Sequence, residues 1–181
     1  KRLLAVENSV KNDISAKTEV VFFPYKASMW DSLESVYLAA KKDPDCDAYV
    51  IPIPYYDRKP DGTFGQMHYE GDQYPSYVPV TAYETFDFGA HHPDMIFIHN
   101  PYDNCNLVTS IHPFFYSEKL KKVTDRLIYI PYFVLDERDL ADDADIEGMK
   151  HYCLTPAVFH ADKVVVQSEN MRKVYIKVLT E

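Results

Sequence analysis

A chain of 181 residues is long enough for one full-sized domain, and 46% hydrophobic against 26% charged content is that of an ordinary globular protein. A formal net charge of −9 argues against gripping nucleic-acid backbone by bulk electrostatics, although Lys119-Leu-Lys-Lys122 is one small basic cluster. Cys46, Cys105 and Cys153 are too scattered for a Cys-x-x-Cys pair or a disulfide framework, which points to a reducing, cytoplasmic setting, and no window approaches the roughly 20 apolar residues of a membrane span.

Leu3, Val6, Val10 and Ile14 recur at helical spacing, so residues 1–16 read as a leading amphipathic helix. Glu19 to Pro24 is a β-branched and aromatic run closed by proline, hence a buried strand. Trp30, Leu33, Tyr37 and Ala40 then share one helical face, with Asp31 and Glu34 where a helix dipole favours acids. Ala48 to Ile53 is a second strand, and Pro52 argues for an edge position or a frayed end. From residue 54 to 94 the periodicity dissolves into a Tyr-rich insertion, with a turn at Pro60-Asp-Gly62 and a short hairpin expected between Gln66 and Val80. A connection of that length inside one domain is more often functional than not.

Met95 to Ile98 is four apolar residues in a row, fit for a strand buried on both faces. It runs straight into His99, Asn100, Tyr102 and Asp103. Beyond it come a helix over Pro113 to Val123, a strand at Arg126 to Ile130, an acidic loop from Asp136 to Asp145 and a helical stretch over Gly148 to Ala161. Lys163 to Val166 is a fifth strand, and Ser168 reads as the N-cap of a closing helix over Glu169 to Leu179. Strands alternating with helices imply a three-layer α/β domain with a mainly parallel sheet, occupying 17–181. The loops after the strands then set Lys26, Ser28, Asp31, Tyr55, His99, Asn100, Asp103, Tyr132 and Ser168 along one rim, where open α/β sheets bind ligands.

With five glycines there is neither GxGxxG nor GxxxxGK[ST], so a bound anion would rest on amides near Ser28 or Ser168. Plain capping is the competing reading for both, and the preferred one for Ser168. Seven histidines, including the adjacent His91 and His92, lack metal-ligand spacing, so no metal and no cofactor is expected. His99 at a strand's carboxyl end is the general-base candidate, with Asp103 to orient its imidazole, against the reading that it merely pins the Pro101 turn. Asp103 is also a natural turn residue. GxSxG is absent, which leaves no nucleophile elbow for a hydrolase.

The run Ile96-Phe-Ile-His-Asn-Pro-Tyr-Asp103, continuing through Val108-Thr-Ser-Ile-His-Pro113 to Tyr129-Ile-Pro-Tyr-Phe133, resembles the amino-terminal half of CDP-glycerol glycerophosphotransferase-like proteins. So does Ala161-Asp-Lys-Val-Val-Val-Gln-Ser-Glu-Asn170, and the likeness extends loosely from Val20 onward. The resemblance implies the Rossmann-like acceptor half of a bacterial two-domain GT-B transferase, acting in teichoic-acid-like cell-wall synthesis in the cytoplasm, at the membrane's inner face. It implies that a carboxy-terminal domain outside this sequence holds CDP-glycerol or another activated donor. A glycerol-phosphate or glycan acceptor would then meet His99, Asp103, Asn100, Tyr102 and Trp30, with amides near Ser28 contributing. On that reading the chain is a piece of a longer enzyme, inactive alone. Rival readings are a sugar-nucleotide GT-B glycosyltransferase, a non-catalytic ligand-binding module, and an interaction domain using its Tyr-rich loop.

Overall fold

The computed structural model describes residues 2–4, 6–7 and 17–181. Residues 2–4 and 6–7 are helical, and the rest of the expected leading helix, Val10 and Ile14 included, lies outside the described residues. In chain order the elements are β1 (Thr18–Phe23), α1 (Asp31–Lys42), β2 (Cys46–Val50), β3 (Tyr55–Arg58), β4 (Phe64–His68), α2 (Phe88–His91), β5 (Met95–Ile98) and β6 (Thr109–Ile111). They continue with α3 (Ser117–Leu120), β7 (Arg126–Tyr129), α4 (Asp143–Cys153), α5 (Pro156–His160), β8 (Lys163–Val164) and α6 (Glu169–Thr180). Single 3-10 turns form at Ala27–Met29, Tyr83–Thr85 and Pro113–Phe115.

The main sheet has the order β2-β1-β5-β7-β8, and every pairing in it is parallel. Its register carries the alternation of side chains straight across the sheet, Val21 beside Ile96 beside Leu127 and Phe22 beside Phe97 beside Ile128. One face buries Val21, Phe23, Ile96, Ile98, Leu127 and Tyr129 under Leu120 of α3 and the inner residues of α4, α5 and α6. The other buries Val20, Phe22 and Phe97 under Trp30 and, from α1, Leu33 and Tyr37, with Phe22 stacked on Phe97 at 4.9 Å. The chain is therefore a three-layer, Rossmann-like α/β domain. Both faces of these strands being apolar is what made their sequences continuous hydrophobic runs.

Pro52 fits the edge position for a visible reason. Ile51 and Ile53 donate to the carbonyls of Phe22 and Pro24 at 2.9 and 3.0 Å, so the residue without an N–H is the one that faces away from β1. The insertion departs from expectation. Its hairpin is β3 and β4, joined through Pro60-Asp61-Gly62 with Gly62 at φ 81°, rather than a pairing within Gln66 to Val80. β3 also pairs antiparallel with β6, a three-residue strand too short to show periodicity, which makes a second, three-stranded sheet. The expected helix over Pro113 to Val123 is a 3-10 turn followed by the short α3, and α4 starts earlier than expected because Asp142 caps it by accepting from Ala144 N–H at 2.8 Å. Ser168 caps α6 as expected, accepting from Met171 N–H at 3.0 Å.

Candidate functional site

Taken by themselves, the five parallel strands run in the order 2-1-3-4-5, so the strand order reverses between β1 and β5. The crevice outside the carboxyl ends at such a reversal is where doubly wound sheets bind ligands. Here the chain places Tyr25 and Lys26 after β1, His99 after β5 and Tyr132 after β7. The Tyr25 ring lies edge-on to Tyr55 and His99, at centroid distances of 5.3 and 5.7 Å, and 6.1 Å from Tyr132. Tyr55 belongs to β3, so the second sheet packs against Tyr25 on one side.

His99 sits at the centre with no solvent exposure. Its Nε2 accepts the N–H of Tyr25 at 2.9 Å, which leaves the proton on Nδ1. That N–H donates to Ser32 Oγ at 2.9 Å, and the Ser32 hydroxyl donates onward to the Met29 carbonyl at 2.8 Å. Burial drives its pKa down to about 3, against a smaller upward pull from the Met29 carbonyl. An imidazole that is neutral, enclosed and spent at both nitrogens has no lone pair to offer a substrate. His99 ties the loop after β1 to the end of β5, and the expectation of a general base at this residue gives way to a positioning role.

Asp103 does not orient it. Asp103 holds the left-handed backbone conformation, φ 49°, and its Oδ2 accepts from Ser117 N–H at 2.9 Å and from the Ser117 hydroxyl at 2.7 Å. The Ser117 oxygen in turn lies 2.8 Å from His160 Nδ1, so the chain reads Asp103, Ser117, His160. Burial lifts the Asp103 carboxyl to about 6, although the Ser117 bonds pull it down.

The remaining expected residues divide. Tyr132 lines the crevice. Asn100 is buried and its Oδ1 accepts from Tyr102 N–H at 2.8 Å, which makes it the brace of the Pro101 turn. Tyr102 is buried beside His151, and burial pushes its phenol up to about 12. Trp30 packs edge-on to Tyr37 and Tyr74 in the core under α1, so it does not reach an acceptor. Ser28 and Asp31 are exposed at the entry to α1, and Ser168 is committed to its cap. The anion role expected of amides near Ser28 meets an internal rival: Ala27 N–H already donates to the Glu70 carboxylate at 2.8 Å.

Lys26, expected on the rim, is joined there by Glu70, which the strand ends do not predict. The other Glu70 oxygen accepts from Tyr55 OH at 2.6 Å, and burial followed by that bond raises the Tyr55 pKa. Lys26 Nζ lies 5.3 Å from the Tyr25 ring centroid and 5.1 Å from that of Tyr55, and among the described residues no carboxylate pairs with it. The crevice thus offers an unpaired ammonium, a carboxylate with acceptor capacity to spare and three phenol rings. Among the described residues no group of three or more His, Cys, Asp or Glu side chains is placed to hold a metal ion, and no helix is long and apolar enough to cross a membrane.

Fold and residue cluster together define a doubly wound α/β domain with a charged, aromatic-rich cluster at its switch point. No family model matches the chain, and searches of curated proteins and of solved structures found no match either.

Proposed function

We propose that this chain is the acceptor-binding half of a GT-B-type transferase that moves glycerol phosphate from CDP-glycerol to an acceptor hydroxyl, in cell-wall polymer synthesis at the inner membrane face. One observation carries the reading: Lys26, Tyr55, Glu70 and Tyr132 come from separate segments and gather about Tyr25, which packs on buried His99 where the strand order reverses. Lys26 supplies the charge for a phosphate already on the acceptor, and the phenol rings give flat walls for its carbon skeleton. Glu70 accepts the proton of the attacking hydroxyl. The hydroxyl oxygen then bonds to the β-phosphorus of the donor, the bond from that phosphorus to CMP breaks, and CMP leaves with the electron pair. His99 and Ser32 hold the loop that carries Lys26.

The test is an assay of the whole protein against CDP-glycerol, CDP-ribitol and UDP-sugars. Glu70→Gln should lower turnover on CDP-glycerol by about 100-fold, the usual scale of a lost general base. Lys26→Ala should raise KM for a phosphorylated acceptor by about tenfold, the scale of one charge-assisted contact. Turnover with UDP-sugars alone would transfer the protein to the glycosyltransferases, and indifference to both substitutions would remove the crevice from the mechanism. The commitment of both His99 nitrogens favours a second reading, a non-catalytic binding module, whose signature is ligand binding at the crevice with no turnover of any donor.

A further inference from the structure

Away from Lys26 and Glu70, six residues line an open pocket of about 220 Å³: Tyr83, Phe86, Phe88, His112, Phe114 and Phe115. Contacts of Phe23 with Phe88 and Phe115 place it at the carboxyl end of β1, on the face covered by α3 to α6. We propose that this aromatic box is a binding site for a neutral aromatic ring that carries a hydrogen-bond acceptor on its edge.

Three observations select that ligand. The rings of Phe88, Phe114 and Phe115 are inclined to one another by 57°, 66° and 80° with centroids 5.1 to 6.4 Å apart, so they form the walls of a corner rather than a collapsed stack. An apolar cavity of about 150 Å³ already admits benzene, so this one has room for a ring of one or two fused members. The polar groups of the wall are the Tyr83 phenol and the His112 imidazole. His112 Nδ1 accepts from Phe114 N–H at 3.2 Å, which leaves Nε2–H as a donor with no partner among the described residues. Burial and then nearby Lys119 hold that imidazole below its ordinary pKa, so the donor is neutral at pH 7. A cation would meet an N–H donor and Lys119 with no acidic residue in the wall, which disfavours the quaternary ammonium ions that other aromatic cages take. Phe114, half exposed, stands at the mouth.

The experiment is a titration of the protein with acetophenone, toluene and tetramethylammonium, followed by amide and imidazole NMR shifts. Acetophenone should saturate and move the His112 imidazole signal, binding about fivefold tighter than toluene, the worth of one hydrogen bond. Phe114→Ala, at an exposed position that does not endanger folding, should weaken acetophenone by about tenfold, within the range for a lost aromatic wall. His112→Phe should erase its preference over toluene. Failure of acetophenone to saturate the folded protein, equal binding of toluene, or tighter binding of tetramethylammonium would each overturn the assignment.

Discussion

His99 and Asp103 belong to one strand-end loop, and both are buried, yet they serve two separate clusters. His99 faces the loop after β1 and has a complete set of partners, Tyr25 N–H and Ser32 Oγ. Asp103 faces α3 and α5 through Ser117 and His160, and its Oδ1 is buried without a partner. Burial is the first cause of the pKa shift at both, with opposite sign, because it disfavours whichever form is charged. A satisfied neutral group braces the fold, whereas a carboxylate buried with one oxygen unmet is held there at a cost. That contrast, rather than a shared catalytic role, is what the loop encodes.

The largest effect that would separate the two clusters is at His99. His99→Ala leaves the Tyr25 amide and the Ser32 hydroxyl unsatisfied beside a cavity, and should cost about 3–5 kcal/mol in denaturant unfolding. His99→Gln, which can accept and donate, should recover part of it. Ser117→Ala removes the hydroxyl donor from the Asp103 carboxylate and should cost about 2 kcal/mol, the range for a hydrogen bond to a charged group, with the His99 imidazole signals unmoved.

A finer separation comes from pH. The depressed pKa of His99 gives stability that is present above the unfolded value of 6.5 and lost as pH falls toward about 3. The raised pKa of Asp103 does the opposite: its contribution is present below the unfolded value of 3.8 and lost as pH rises through about 6. Near pH 5 the native state holds one proton more at Asp103 and one fewer at His99, and the two slopes nearly cancel. Asp103→Asn deletes one of them. Its unfolding free energy should therefore rise with pH more steeply than wild type, by about 1 kcal/mol per pH unit around pH 5. Equal slopes in the two proteins would show that the loop does not hold the two groups in opposed states. Ser168→Ala, at a plain cap far from both clusters, should cost only about 1 kcal/mol.

The parallel strands and the rim were legible in the chain because continuous apolar runs such as Met95 to Ile98 and the turn chemistry after them are local signals. The roles of His99 and Asp103 were not, since their partners lie far off in sequence. Tyr25 is 74 residues from His99, Ser32 is 67 from it, and His160 is 43 from Ser117. Proximity in the chain suggested a pair where tertiary structure made two. Glu70 was hidden for another reason: it follows β4 in an insertion without periodicity, and only the docking of that insertion brings it onto Ala27 and Tyr55. β6 was missed because three residues carry no period, and Trp30 was misplaced because a large aromatic at a helix start reads equally as binder or core.

The central claim is that His99 is a neutral brace at the heart of the crevice and not its base. Imidazole 15N shifts of His99 followed from about pH 8 to about pH 4.5 test it directly, since an unperturbed histidine titrates near 6.5. The account predicts a single Nδ1–H tautomer with no titration across that range. A midpoint near 6.5, or a proton on Nε2, would contradict it.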